Sequence, residues 1–226
     1  MTQPLGWLLR SAALTAAFAV PVANAATVID FESDSLTGLY FAGDTFAQGD
    51  YTLTTKIDYG IIDTVAALGA LAPTGNATQF YFNANDAALG LARTDEALFS
   101  LTGFSAAFVP LDPASAQTTV IVAVGVNADN SLVTTSWGFA ASVAGRNPFA
   151  TYADAADFSA FSNIKQVDFF ACSLVGSAIC TQPTLNNGQF AIDDILVAAA
   201  VPEPTTMALM ALGLAGLGLR ARRRAR

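Results

Sequence analysis

Histidine is absent from this chain, and basic residues are scarce everywhere except in its last segment. The 226 residues include 10 lysines and arginines against 18 aspartates and glutamates, and no histidine. Without histidine the chain cannot build a Ser-His-Asp or Cys-His catalytic site, or most kinds of zinc site. Residues 26–200 hold four basic side chains against seventeen acidic ones. Because such a segment cannot neutralise phosphates, nucleic acid is excluded as its partner.

Long apolar runs are also lacking, and the first of two short ones lies in residues 1–25. Arg10 precedes an apolar stretch over residues 11–20, and Ala23-Asn24-Ala25 supplies the small residues that signal peptidase requires. A buried N-terminal helix is the alternative. The combination of charge, short apolar stretch and cleavage site favours a signal peptide over residues 1–25, cleavage after Ala25, and export.

Cysteine occurs only twice, at Cys172 and Cys180. Exported proteins meet oxidising compartments, in which nearby cysteines pair. We therefore predict a disulfide between Cys172 and Cys180, with two buried free thiols as the alternative. A loop this short would constrain the unfolded chain by about 2 kcal/mol, which makes it a local constraint rather than a condition for folding.

The middle of the chain, residues 26–200, predicts a single all-β domain. Short β-rich segments recur between Gly, Asn, Asp and Pro residues, at 27–32, 50–55, 78–82, 98–109, 118–127, 132–140, 164–171 and 189–198. Residues 118–127 and 132–140 alternate most clearly, and the Asn-rich turn between them predicts a hairpin. One short helix is expected at 153–158. Many short strands at this spacing predict a jelly-roll-like β-sandwich.

The second short apolar run belongs to a three-part C-terminal segment, residues 201–226. It begins Val201-Pro202-Glu203-Pro204, continues as an uncharged stretch over 205–219, and ends in an arginine cluster over 220–226 that contains Arg220, Arg222, Arg223, Arg224 and Arg226. A helix over 205–219 would span about 22 Å, less than the roughly 30 Å hydrocarbon core. Bilayer thinning and arginine snorkelling can cover this difference, and the arginines would act as a stop on the cytoplasmic side.

The three parts in this order resemble the PEP-CTERM sorting signal. The resemblance covers residues 201–226 and implies that the protein is a substrate of exosortase, a membrane-embedded enzyme of Gram-negative bacteria that cuts near the Pro-Glu-Pro segment. It also implies transient anchoring in the inner membrane, delivery to the cell surface or extracellular matrix, and association with exopolysaccharide production. A plain C-terminal membrane anchor is the alternative.

Acidic residues near the two ends of the middle domain suggest a metal site. The opening Ile29-Asp30-Phe31-Glu32 and the closing segment 190–197 resemble those of PEP-CTERM jelly rolls and, more loosely, of carbohydrate-binding modules. In such modules the first and last strands lie side by side and a structural calcium can sit near them. Glu32 and Asp193 are the candidate ligands, with Asp30 and Asp194 as further oxygen donors.

Alternation in the last strand places Asp193 with Ile195 and Asp194 with Ile192, so one of the two carboxylates must approach a buried face and needs a partner. Backbone N–H groups are the alternative to a metal as that partner. We predict no other cofactor. Exposed aromatics would be needed for sugar binding, and the candidates are Tyr40, Phe41, Tyr59, Tyr81, Trp137 and Tyr152.

The sequence therefore predicts an exported, non-enzymatic protein of the cell surface or exopolysaccharide matrix, with a structural or adhesive role. Signal peptidase, exosortase and an exopolysaccharide are the predicted partners. A carbohydrate-binding module for the matrix polysaccharide is the first alternative. A matrix glycoside hydrolase is the second, but seventeen acidic residues would supply a pair of carboxylates by chance alone, so their presence does not favour it.

Overall fold

The computed structural model of the protein describes residues 26–110, 119–175, 179–181 and 188–200, together with residue 213. Residues 24–200 form one compact unit. The second unit, residues 1–23 and 201–226, is described only at residue 213. The predicted signal peptide and the predicted apolar helix over 205–219 therefore lie outside the described residues, apart from that one position. No helix in the described part of the chain is long and apolar enough to span a membrane.

Within the described ranges the chain is mostly β, with short helical turns between strands. The strands are β1 (Thr27–Ile29), β2 (Gly38–Phe41), β3 (Thr45–Gln48), β4 (Tyr51–Lys56), β5 (Tyr59–Asp63), β6 (Phe80–Ala84), β7 (Ala88–Arg93), β8 (Phe99–Phe108), β9 (Thr119–Asn127), β10 (Leu132–Gly138), β11 (Ala150–Tyr152), β12 (Ile164–Val175), β13 (Ile179–Thr181) and β14 (Phe190–Ala199). The helices are α1 (Val65–Leu68) and α2 (Ala155–Phe158), with 3₁₀ turns at Asp34–Leu36, Gly69–Leu71 and Ser159–Phe161. The all-β prediction is confirmed.

The strands of residues 24–200 belong to one nearly closed, barrel-like sheet that has two branches. The first branch runs β2-β5-β6-β14-β8, with β1 also on β14 and β11 on β8. The second runs β3-β4-β7-β12-β9-β10, with β13 on β12. A single residue pair, Ile164 opposite Phe99, joins β12 to β8 and so links the branches. As predicted, the first and last strands are neighbours, with Thr27 opposite Val197.

The clearest sequence patterns form the predicted elements. β9 and β10 make the predicted hairpin, from Val126 opposite Leu132 to Val120 opposite Gly138. The predicted helix at 153–158 is α2, and Asp154 caps it by accepting the N–H of Ala156. The predicted strand at 27–32 ends early, at Ile29. It ends because Phe31 adopts φ 56°, in the left-handed region that does not continue a strand.

Side chains of both branches meet in one main core. Phe104 and Ile192 enter it from the first branch, and Leu53, Leu91 and Phe169 enter it from the second; all five are at most 1% exposed. A smaller cluster lies on the other face of the first branch. There Phe80, Phe82, Ala84, Val109 and Ala191 pack beneath α1 and Phe149. The first branch therefore has apolar packing on both faces.

Candidate functional site

Asp193 is the buried carboxylate of the last strand. Asp193 is only 2% exposed, whereas Asp194 is exposed. The prediction that one of the two carboxylates approaches a buried face is therefore confirmed. The prediction that Asp193 shares a face of the strand with Ile195 is wrong. The register of β14 against β8 shifts just after Asp193, and Asp194 adopts φ 47°. This bulge puts Ile192 and Ile195 together in the main core and leaves Asp193 on the opposite face with Ala191.

Both oxygens of the Asp193 carboxylate accept hydrogen bonds. The Nδ2 of Asn76 donates to Oδ2 at 2.6 Å, and the backbone N–H of Asp194 donates to Oδ1 at 2.8 Å. Asn76 is itself held, because its Oδ1 accepts from the backbone N–H and the hydroxyl of Thr78, at 2.8 and 2.9 Å. Burial raises the pKa of Asp193 to about 7. The two hydrogen bonds oppose this rise, and the negative charges of Asp194 and Glu32 add to it.

Asp193 lies in a polar cleft of about 310 Å³. Asn76, Thr78, Ser105, Thr151 and Asp194 contribute to its walls. The hydroxyls of Ser105 and Thr151 are 3.0 Å apart, which places two further oxygen atoms beside the carboxylate. At neutral pH the carboxyl of Asp193 is partly protonated, so the cleft can offer both a hydrogen-bond donor and several acceptors.

The surroundings of Glu32 and Asp193 bear on the predicted calcium site. Glu32 is exposed beyond the end of β1, and its negative charge contributes to the raised pKa of Asp193. Its backbone N–H donates to Asp30 at 3.3 Å. Among the described residues, no group of three or more acidic, cysteine or histidine side chains is arranged to hold a metal. Both Asp193 oxygens already have N–H partners: one is a backbone N–H, the alternative considered from the sequence, and the other is the side-chain amide of Asn76. Calcium at Glu32 and Asp193 stays a prediction.

The two cysteines lie in the β12–β13 hairpin. Cys172 is completely buried in β12, opposite Val120 of β9. Cys180 is in β13, opposite Leu174 of β12. The hairpin thus brings the two cysteines onto adjacent strands, and their disulfide stays a prediction.

A second candidate site is a groove that follows β7 on the outer face of the second branch. β7 has the sequence Ala88-Leu89-Gly90-Leu91-Ala92-Arg93, and its two leucines are buried in the main core. The opposite face of the strand therefore carries only Ala88, Gly90 and Ala92. The strands on either side, β4 and β12, carry larger side chains on this face. We call the resulting cavity, of about 420 Å³, the β7 groove; it is lined by Lys56, Ile57, Asp86, Ala88, Val124, Asp168, Phe170 and Ala171.

A fixed polar cluster crosses the β7 groove. The Nζ of Lys56 donates to both carboxylate oxygens of Asp168, at 2.7 and 2.8 Å, and the Nε2 of Gln166 donates to Asp168 Oδ1 at 2.7 Å. Lys56 reaches Asp168 over Gly90, where a Cβ atom would lie 2.7 Å from Lys56 Cε and 3.0 Å from Asp168 Oδ1. The ion pair is about one-third exposed. Apolar side chains of Val124, Phe170 and the exposed Ile57 complete the walls.

The aromatic residues proposed from the sequence as sugar platforms are mostly not available for that role. Tyr81 is completely buried and Trp137 is 8% exposed. Trp137 stacks on Phe158, with ring centroids 5.0 Å apart. Of the six candidates, which are Tyr40, Phe41, Tyr59, Tyr81, Trp137 and Tyr152, only Phe41 is a largely exposed side chain, at 58%. Phe170, which lines the β7 groove, was not among them.

The C-terminal segment begins where the last strand ends. β14 stops at Ala199, and the N–H of Ala200 donates to the carbonyl of Leu98 at 3.1 Å. The Pro-Glu-Pro motif (Val201, Pro202, Glu203 and Pro204) and the arginine cluster lie outside the described residues. Residues 200–224 match the family model of the PEP-CTERM protein-sorting motif. The chain carries a PEP-CTERM sorting motif. This motif implies export, a membrane-anchored sorting signal and processing by exosortase.

The domain that precedes the PEP-CTERM motif is similar in fold to a solved structure. A DUF4465 family protein from Bacteroides caccae matches with a TM-score of 0.53 and 12% identity, over 78% of this chain and 100% of that chain. A family 11 carbohydrate-binding module from Clostridium thermocellum, in complex with a β-1,3-1,4-mixed-linked tetrasaccharide, reaches a TM-score of only 0.35 at 14% identity, over 79% of this chain and 98% of that chain. No curated protein matches this chain in sequence.

Proposed function

We propose that the protein is exported and delivered by exosortase to the cell surface or exopolysaccharide matrix of a Gram-negative bacterium, where its role is structural or adhesive and non-enzymatic. The observation that carries this proposal is the match of residues 200–224 to the PEP-CTERM motif, directly after the last strand. Signal peptidase and exosortase are the processing partners. The inner membrane holds the protein before the cut.

The position of the motif suits a removable signal. β14 is paired on both sides, with β8 on one and with β1 and β6 on the other, so it is central to the first branch. The strand ends at Ala199, and the N–H of Ala200 still donates to the carbonyl of Leu98. Pro202 and Pro204 have no N–H group with which to continue this pairing. A cut within residues 202–204 would therefore remove no residue of the sheet.

We further propose that residues 26–200 fold as a jelly-roll-like β-sandwich. Two features support this interpretation. The branches β2-β5-β6-β14-β8 and β3-β4-β7-β12-β9-β10 share one residue pair, Ile164 and Phe99, and both branches send side chains into one main core. Two branches of one sheet that bury a common core between them pack as the two layers of a sandwich do.

Carbohydrate binding is the second candidate function, and the β7 groove is the observation that favours it. The groove combines the Lys56–Asp168 ion pair with a partly exposed apolar wall formed by Ile57, Val124 and Phe170. Such a combination is typical of sites for small polar ligands with an apolar face.

Replacement of the Pro-Glu-Pro motif tests the sorting proposal. We expect the triple variant Pro202→Ala, Glu203→Ala, Pro204→Ala to accumulate in the inner membrane with its C-terminal segment intact. The wild-type protein should reach the cell surface or medium without residues 205–226, as shown by mass spectrometry of its C-terminal peptide. Glu96→Ala, at an exposed turn of the domain, is the control and should be sorted normally. A surface form that retains residues 205–226 would refute the proposal and leave a plain anchor.

A further inference from the structure

We propose that the β7 groove binds an uncharged polysaccharide segment, with a hexose ring packed against Phe170 and its hydroxyls bonded to the Lys56–Asp168 pair. The inference rests on the proposed function, because it names the ligand class for the second candidate function and because export is what brings the domain into contact with a polysaccharide. Its argument depends on the shape, the charge and the hydrogen-bonding groups of the groove.

The cavity lies at the Ala88 end of β7, beside the Lys56–Asp168 pair. Ala88, Gly90 and Ala92 face outward in succession, and of these three residues Ala88 lines the cavity, whereas the ion pair crosses over Gly90. Gly90 is opposite Thr54 on one side and Asp168 on the other. A side chain at position 90 would collide with the Lys56–Asp168 pair, and this explains the glycine without any positive φ. The cavity of about 420 Å³ is within the range of small-ligand sites.

The charges of the groove favour a neutral ligand. Lys56 is one of only four basic residues in residues 26–200, and Asp168 neutralises it at 2.7 Å. Asp86 adds a further acidic side chain to the lining. The whole domain carries seventeen acidic residues, so the field at the groove opposes anionic polymers. A polyuronate would have to displace Asp168 from Lys56, whereas an uncharged sugar would not.

The polar cluster provides what a hydroxyl group needs. The Lys56 ammonium has three N–H donors, and Asp168 takes two of them. Asp168, on β12 at the side of the groove, also accepts from Gln166, which fixes its orientation. A sugar hydroxyl can accept from Lys56 and donate to Asp168 at the same time, because it is both donor and acceptor. Hydrogen bonds to charged partners are stronger than neutral ones, so a preformed ion pair is a good hydroxyl site.

The apolar wall provides the complementary surface. Phe170 is half-buried, Val124 is half-buried, and Ile57 is 58% exposed. A hexose ring has one face made of C–H groups, which packs on such a surface while its hydroxyls point to the polar cluster. Aromatic side chains contribute most of the apolar contact area in sites of this kind. The two requirements, an apolar face and many hydroxyls, are met together by saccharides.

The groove lies near the first residues of β14 rather than near its last ones. Asp86, at one end of the groove, accepts a hydrogen bond from the N–H of Gly188, just before β14 begins. The PEP-CTERM motif follows the other end of β14, at Ala199. A strand of this length separates its two ends by about 30 Å. The groove and Ala199, the last residue of β14, therefore lie toward opposite ends of that strand.

Binding measurements with paired neutral and anionic polymers test the inference. The full-length protein, solubilised in detergent, is titrated with neutral glucan, mannan and galactan, and with polygalacturonate as the charged counterpart of galactan. We expect binding to at least one neutral polymer and weaker binding to polygalacturonate. Phe170→Ala and Asp168→Asn should each weaken neutral binding by about tenfold or more. Asp168→Asn also frees the Lys56 charge, so this variant should bind polygalacturonate better than the wild type does.

Asp95→Asn is the matched control, because it breaks an ion pair of similar length, with Arg93 at 2.7 Å, outside the groove. It should leave all binding unchanged. The melting temperature of each variant shows whether it is folded, and if Phe170→Ala does not fold, Asp168→Asn carries the test. Failure of every neutral polymer to bind, a preference of the wild type for polygalacturonate, or binding that both groove variants leave intact would overturn the inference. None of these outcomes affects the sorting proposal, which is tested by the C-terminal variant in cells.

Discussion

Replacing Asp193 by asparagine should make the protein less sensitive to pH and more stable above neutral pH. The pKa of Asp193 is about 7 in the folded protein, whereas an aspartate in an unfolded chain has a pKa of about 3.9. Between these two values the folded protein holds a proton that the unfolded chain has released. The protonated carboxyl of Asp193 therefore makes its full contribution to the free energy of unfolding below about pH 4. This contribution is lost as the pH rises to about 7 and stays lost above that pH.

The size of the effect follows from the difference between the two pKa values. A difference of about 3 units corresponds to about 4 kcal/mol of unfolding free energy, at about 1.4 kcal/mol per unit. Asparagine has one acceptor oxygen where the carboxylate has two, so it loses the bond from either Asn76 or the N–H of Asp194, at a cost of about 1 kcal/mol. Near pH 4 the wild type should therefore be more stable by about 1 kcal/mol, and near pH 8 the variant should be more stable by about 3 kcal/mol.

Urea unfolding of both proteins over a series of pH values measures this difference, and subtraction removes the titration of the other acidic residues. Asp34→Asn is the matched control, because it removes the same charge from an exposed position and is not among the charges that raise the pKa of Asp193. Its stability difference from the wild type should change little with pH. The reasoning is refuted if Asp193→Asn is less stable than the wild type at pH 8. That result would mean that the folded protein stabilises the charged carboxylate, as a bound calcium ion would.

Three further outcomes are expected. Because both oxygens of Asp193 already accept N–H bonds, chelation of calcium should leave the melting temperature unchanged; a drop that Asp193→Asn abolishes would support a calcium site at Glu32 and Asp193 instead. Gly60→Ala should lower the free energy of unfolding by about 2 kcal/mol or more in a thermal or urea melt, since the added Cβ would lie 2.0 Å from the hydroxyl of buried Tyr81. Gly138→Ala is the control, because a Cβ there would have nothing within 4 Å, and equal effects of the two substitutions would contradict the packing argument. If Cys172 and Cys180 are paired, a thiol reagent should label neither cysteine in the unfolded, unreduced protein, and reduction should lower the free energy of unfolding by about 2 kcal/mol. Labelling of the unfolded, unreduced protein would disprove the disulfide.

Strands with long, regular alternation could be predicted from the sequence, and short strands could not. The β9–β10 hairpin has nine and seven residues and a turn between them, so its pattern stands out against chance. β2, with four residues, and β11, with three, are too short to show a period. β7 is an intermediate case. Its alternation of Ala, Leu, Gly, Leu and Ala indicates a strand with one small-residue face, and this was the available signal for the groove.

Two backbone irregularities also escaped prediction. Phe31 adopts positive φ although a bulky residue rarely does, and Asp194 does so inside a strand, where even aspartate is normally extended. Such positions are imposed by packing around them. Phe31 is completely buried against Phe46 and Tyr81, and Asp194 sits where β14 shifts its register against β8. A bulge reverses the faces of every residue after it, so the local pattern of β14 could indicate that one carboxylate is buried but not that Asp193 is the one.

The sequence by itself determined the sorting motif and the mostly β class, because a sorting motif is read as a linear order of charge, proline and apolar residues, and a strand pattern is local. Only the tertiary structure decided which polar groups meet. Lys56 and Asp168 are 112 positions apart, and Asn76 and Asp193 are 117 apart. Their contacts depend on the pairing of β4 with β7, of β7 with β12, and on the packing of the segment before β6 over β14. Strand order is set by how the whole core is buried, which no short stretch of sequence contains.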